Sequence, residues 1–109
     1  MSSLEFHTLL ALANGPLYGY AIKDAIAAES AGTLTPRAGS LYRVIARLIT
    51  SGLVANAQPK SEPPPHPGLA RQYYALTTEG RRELAAEARR LKKSAAVAEK
   101  RLGVAQGRS

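Results

Sequence analysis

The chain has 109 residues, and its 15 Lys and Arg against 8 Asp and Glu give a net charge of +7 and a pI near 10.2. That length suits one domain with a modest core, and so basic a chain favours polyanionic partners, nucleic acid or an acidic membrane surface. The absence of cysteine excludes disulfides and thiolate metal centres; with no apolar run of membrane-spanning length and no basic signal-peptide start, a cytoplasmic protein without membrane contact is expected.

The first segment, "LEFHTLLALAN", sets Leu4, Leu9, Leu10, Leu12 and Ala13 among few polar residues, which predicts a short, largely buried helix closed by Asn14-Gly15 and stopped by Pro16. After "PLYG", the segment "YAIKDAIAAES" has Ile22, Ala25 and Ile26 at helical spacing, with Lys23, Asp24 and Glu29 facing away. Gly32 ends that region. Thr35 then offers an N-cap oxygen and Pro36 suits a first helical position, so a third helix is expected from there to about Ser51, before Gly52.

"LVANA" and "RQYYAL" read as two short strands of a hairpin. Between them "QPKSEPPPHPGL" carries five prolines, which cannot donate to a ladder, so this stretch is expected at the hairpin tip and outside the sheet. Thr77 is the next N-cap candidate, with Glu79 in the first turn; Gly80, three residues on, leaves the capping box incomplete. The fourth helix should run to about Leu102. Its Leu84, Ala88, Leu91, Ala95, Ala98 and Leu102 alternate spacings of four and three, the seam of a coiled coil. A domain this small cannot cover so long a helix, so a second copy of the chain is the expected cover.

Helix, helix, helix, strand, strand, helix is the order of a winged helix-turn-helix with an appended dimerisation helix: mainly α with a small β-hairpin. The DNA-binding unit would span 1–76, and the dimerisation helix with its tail 77–109.

The third helix carries the most informative pattern. Leu41, Val44, Ile45 and Leu48 fall on one side, while Gly39, Arg43, Arg47 and Thr50 cluster opposite, with Ser40 at the margin. The apolar side would seat the helix on the first two. Arginine forks on the other side can bond two acceptors at once, either phosphate oxygens or the O6 and N7 of guanine, while glycine and serine near the helix start let a phosphate approach the backbone. Two arginines on a helix also fit a plain solvated face. Tyr42, between the two sides, fits either a half-buried structural role or a hydroxyl that reaches a phosphate.

Three stretches, "LLALANGPLYGYAIKDAI", "GSLYRVIARLITSGLV" and "RQYYALTTEGRRELAAE", resemble the PadR family of bacterial transcriptional regulators in order, spacing and residue type, over about residues 4–102. The resemblance implies a homodimer whose third helices enter successive major grooves of a palindromic operator in double-stranded DNA, most often as a repressor. It casts Ser40, Tyr42, Arg43 and Arg47, with Arg37 at the helix start, as DNA contacts, and Lys60 and Arg71 as wing contacts. The proline-loaded wing departs from the family pattern. A small-molecule effector stays open: with one Phe, five Tyr and no Trp, an aromatic cage would need tyrosines of both subunits.

Other candidates weigh less. Tyr18 and Tyr20, flanking Gly19, fit core packing and helix entry better than phosphate contact. His7 and His66 lack the neighbours a metal site requires; His66 reads as a loop surface residue, and His7 fits a bystander better than a pH sensor at the dimer interface. The paired bases of the last helix, some offset by Glu79 and Glu87, fit a solvated face with long-range attraction added; a sequence-independent grip on DNA is the sharper alternative, less favoured because the third helix already supplies a reading surface. No nucleophile elbow, phosphate-cradling glycine loop or paired acid and base is present, so neither catalysis nor a cofactor is expected. A basic winged-helix interaction or RNA-binding protein is the competing class, and it differs in lacking operator specificity.

Overall fold

The computed structural model describes residues 1–57 and 72–103. The proline-rich stretch, with Lys60, His66 and Arg71, lies outside them.

The first helix, α1 (Ser3–Ala11), starts from a capping box: Ser2 Oγ accepts from the Glu5 amide at 3.1 Å, and the Ser2 amide donates to Glu5 Oε1 at 2.8 Å. This box in "SSLE" sets the helix start. Next, β1 (Leu17–Tyr18) leads directly into α2 (Gly19–Glu29). The turn out of α2 is left-handed at Ala31 (φ 53°) and Gly32 (φ 81°), and Ser30 Oγ accepts from the Leu34 amide at 2.9 Å.

The third helix, α3 (Ala38–Thr50), begins later than Thr35-Pro36 suggest. Arg37 is the N-cap, extended at φ −75°, ψ 152°, and no side chain caps it. The physical reason is distance. Leu34 packs against the core, and residues 34–37 lie outside any helix or strand before the first helical bond, Leu41 amide to Arg37 carbonyl, closes at 2.9 Å.

Two further strands, β2 (Val54–Ala57) and β3 (Tyr73–Leu76), pair antiparallel with Val54 opposite Leu76 and Ala57 opposite Tyr73. Gln72 bonds Asn56 across them at 2.9 Å. The expected two-stranded hairpin is in fact a three-stranded sheet of order β1-β3-β2, because Leu17 and Tyr18 pair with Tyr74 and Tyr73. As the central strand, β3 is covered on both sides. Tyr74 joins the core, and Tyr73 meets the Tyr18 ring at 5.6 Å.

One core unites the elements: Leu9 and Leu12 of the α1 region, Ile22 and Ile26 of α2, Leu41, Val44, Ile45 and Leu48 of α3, Val54, Tyr74 and, from the last helix, Leu84. Each such aliphatic side chain contributes about 1.5–3 kcal/mol on burial. The last helix, α4 (Thr78–Leu102), starts at the expected N-cap, Thr77, and closes on left-handed Gly103. Its first turn is latched to the end of α3. The Thr77 amide donates to Leu53 O at 3.1 Å and its hydroxyl to Gly52 O at 2.6 Å, while the same oxygen accepts from the Gly80 amide at 2.9 Å. A Cβ on Gly80 would collide with the Leu53 carbonyl, so the glycine that leaves the capping box incomplete is there for close approach.

That packing generates a test. Ala is normally favoured over Gly inside a helix by roughly 1 kcal/mol, yet Gly80→Ala should destabilise the fold by about 1–3 kcal/mol through overpacking, read as a lowered urea midpoint.

Candidate nucleic-acid interface

The two sides of α3 separate as its periodicity predicts. Leu41, Val44, Ile45 and Leu48 are at most 5 % exposed, whereas Gly39, Arg43, Arg47 and Thr50 are exposed and Ser40 is half-buried. No acid occurs between Glu29 and Glu62, so the α3 surface carries Arg37, Arg43 and Arg47 with no carboxylate of its own. Arg43 Nη2 lies 3.5 Å from Ser40 Oγ, which sets the two side chains together over the first turn.

Among the described residues, folding brings the Glu5 carboxylate to this surface. Glu5, from the start of α1, places Oε2 3.6 Å from Arg47 Nε. Its pKa is lowered, first by the hydrogen bond from the Ser2 backbone, then by the Ser2 side chain and the Arg47 charge, against the opposing effect of burial. The Arg47 side chain nevertheless stays 62 % exposed. Arg47 is thus tied by an ion pair to another helix, a link too distant in sequence for helical periodicity to show.

Tyr42 is 47 % exposed, and its ring leans back over the start of α2. A Cβ on Gly19 would run into the Tyr42 hydroxyl, so this glycine makes room for the tyrosine. Burial, and secondarily the nearby Tyr42, raises the pKa of Tyr74. Between the two helix starts lies a groove of about 80 Å³, lined by Gly19, Tyr20, Lys23, Ala38, Leu41 and Tyr42. Lys23 Nζ sits 5.7 Å from the centre of the Tyr20 ring, which is itself 69 % exposed. The tyrosine pair therefore divides: Tyr18 packs on Tyr73, and Tyr20 stands out beside α3. The sequence reading, which set Lys23 on the outer side of its helix, had no signal that it would share a groove with Tyr42.

Gly39 is unusual for a different reason. Its backbone is helical, and an added Cβ would find only Arg43 Nη1, at 4.0 Å. Among the described residues nothing packs closely enough to require a glycine there, although glycine weakens a helix. What it leaves is an open approach to the first turn of α3.

The remaining candidates lie on α1 and α4. Leu84 is a core residue, 9 % exposed, whereas Ala88, Leu91, Ala95, Ala98 and Leu102 are exposed along the outer turns of α4. Arg82 pairs with Glu79 and Arg90 with Glu87, each at 2.5 Å. His7 Nδ1 lies 2.9 Å from the Ser3 carbonyl, and no metal-binding cluster occurs among the described residues. No described helix is long and apolar enough to cross a membrane.

Comparison with known proteins places this architecture. The profile of the transcriptional regulator PadR-like family matches residues 8–86. A PadR family transcription regulator of Clostridium difficile superposes with a TM-score of 0.74 at 21 % identity, covering 93 % of this chain and 99 % of that one. Bacillus subtilis PadR, solved in complex with operator DNA, gives 0.62 at 22 % identity over 78 % of this chain and 46 % of its own. In sequence, the chain is 42 % identical over 80 residues to a 37.1 kDa transposon protein of Streptomyces fradiae, covering 73 % of this chain but only 20 % of that relative. The chain thus spans about a fifth of that relative's length.

The open surface at Gly39 is testable against stability. Gly39→Ala should raise the urea midpoint, by about 0.5–1 kcal/mol in stability, and at the same time weaken duplex binding measured by fluorescence anisotropy. Stronger or unchanged binding would show that nothing approaches this turn.

Proposed function

Because the chain belongs to the PadR-like family of transcriptional regulators, we propose that it is a homodimeric, sequence-specific DNA-binding protein that represses by occupying a palindromic operator. The observation that carries this reading is the outer face of α3, where Arg43, Arg47, Ser40 and Gly39 stand together over a helix whose other face is locked in the core. Such a helix can lie in a major groove and offer bidentate guanidinium contacts to guanine. Tyr42 and Arg37 flank it as phosphate contacts, with Lys23 and Tyr20 beside them in the groove at the start of α2. Lys60 and Arg71 are assigned to the wing on the family pattern alone. That Bacillus subtilis PadR was solved in complex with operator DNA supports the reading of this chain as a DNA-binding protein.

The subunit contact is assigned to α4. Past Glu87 every described residue of the helix is exposed, with Leu91 at 39 % and Leu102 at 77 %. Exposed leucines repeating along one side of a long helix are what a second copy would cover. Beside this seam, Met1, Phe6 and Leu91, with Glu87 and Arg90, border a groove of about 230 Å³ between α1 and α4, which continues the surface on offer with mixed apolar and charged lining.

Selection from a random duplex library, followed by titration against unselected DNA, tests the function. A regulator should prefer its selected sequence by about a thousandfold or more; a basic RNA-binding or general interaction protein should show steep salt dependence without preference. Arg43→Ala and Arg47→Ala should each weaken binding to the selected duplex by about 1–3 kcal/mol if they read bases, and unaltered binding in both would place the contact elsewhere. Leu91→Asp should yield monomers in sedimentation analysis and weaken operator binding in step; a dimer that persists would refute the seam.

A further inference from the structure

The bases of α4 are not spread evenly around it. At 3.6 residues per turn, Arg82, Arg89, Lys93 and Lys100 fall within about 40° of one another, on the side opposite Leu84, Leu91, Ala95 and Leu102. All four are exposed. At about 1.5 Å per residue the row is about 27 Å long.

Three observations separate this row from an ordinary solvated face. The four acids of α4, Glu79, Glu83, Glu87 and Glu99, all lie off its line, and the two ion pairs that they form engage Arg82 and Arg90. Arg89, Lys93 and Lys100 form no ion pair among the described residues. The row also carries a cost, since Arg89 and Lys93 are like charges four residues apart, an arrangement that weakens a helix. Finally, small residues border it: Ala85, Ala86 and Ala96 leave the charged groups standing above a low surface open to a bulky partner.

We propose that this row is a second, sequence-independent binding surface for duplex DNA, distinct from α3. A straight line of bases on a rigid helix matches the phosphate ridge of a stiff rod. An acidic membrane fits less well, because an interfacial helix needs a continuous band of large apolar residues next to its bases, and here Val97, 40 % exposed, stands by itself beside the row while Leu84, Leu91 and Leu102 lie on the opposite side. The row does not share the duplex held by α3 of the same subunit. Leu84, on the far side of α4 from the row, packs into the core with the inner face of α3, so the two basic surfaces look outward with that core between them. The protein can therefore hold one duplex by sequence and a second by charge. This rests on the reading of α3 as the operator surface and of the opposite side of α4 as the subunit seam.

The test uses the full-length dimer, a donor-labelled selected operator and an acceptor-labelled short duplex of random sequence. Energy transfer reports both duplexes on one assembly. Three proteins are compared: the wild type, the row variant R89Q/K93Q, and an off-row variant, K92Q/R101Q, with the same loss of charge. The wild type and the off-row variant should capture the second duplex. The row variant should keep the operator yet lose about tenfold in affinity for the second duplex, and its slope of log K against log salt should shrink by about 2 per subunit. Equal loss in both variants would reduce the effect to net charge, and no capture by the wild type would remove the second site; either overturns the proposal. Binding of anionic vesicles in place of the duplex, abolished by R89Q/K93Q, would also overturn it by assigning the row to a membrane. Failure of the operator reading shows separately as absence of sequence preference in the first duplex, while binding of the random duplex is still measured on its own.

Discussion

Everything downstream of the core depends on how closely α4 approaches the carbonyl of Leu53. That oxygen receives the Thr77 amide, and the missing side chain of Gly80 lets the first turn of α4 settle against it. The turn that ends α3, the start of β2, the end of β3 and the base of α4 meet within a few residues. A hydroxyl on Thr77 completes the joint by bonding Gly52 O and the Gly80 amide together. The direction of α4 is fixed there relative to α3, by backbone contacts that leave no room for a side chain to adjust them.

α3 illustrates how one helix serves two masters without conflict. Its inner leucines, valine and isoleucine take their place from the core, and that placement decides which residues face out. Because no acid occurs in the surrounding sequence, the outward charge is, among the described residues, paired only where folding delivers Glu5 from α1. That carboxylate also caps α1, so the start of the first helix and the set of one arginine on the third are held by the same group. Glu5 keeps Arg47 beside α1, whereas the Arg43 guanidinium donates within α3, to the Ser40 hydroxyl.

Much of this was legible from local pattern. The two sides of α3 follow from the spacing of Leu41, Val44, Ile45 and Leu48, and the start of α4 follows from Thr77, because periodicity and capping are properties of neighbouring residues. The misses share a different origin. β1 is two residues long and exists only because Leu17 and Tyr18 find Tyr74 and Tyr73 over fifty positions away. The start of α3 was displaced by the need to anchor Leu34 first, which outweighed the capping signal of Thr35-Pro36. Leu84 fits the coiled-coil spacing of its helix, yet its neighbours are in the core of its own chain. Which side of Tyr18 and Tyr20 points to the core depended on the sheet, and the gap above Gly39 became visible only once its surroundings were in place.

The latch at Leu53 has a mechanical meaning. A rod of 25 residues, clamped at one end by backbone contacts, transmits orientation as well as position. In the proposed pair, the separation and tilt of the two α3 helices are set by the rods and the joints at their bases. The proposed pair would then work as a caliper of fixed gap, measuring the distance between two half-sites as strictly as its α3 helices are proposed to read their bases.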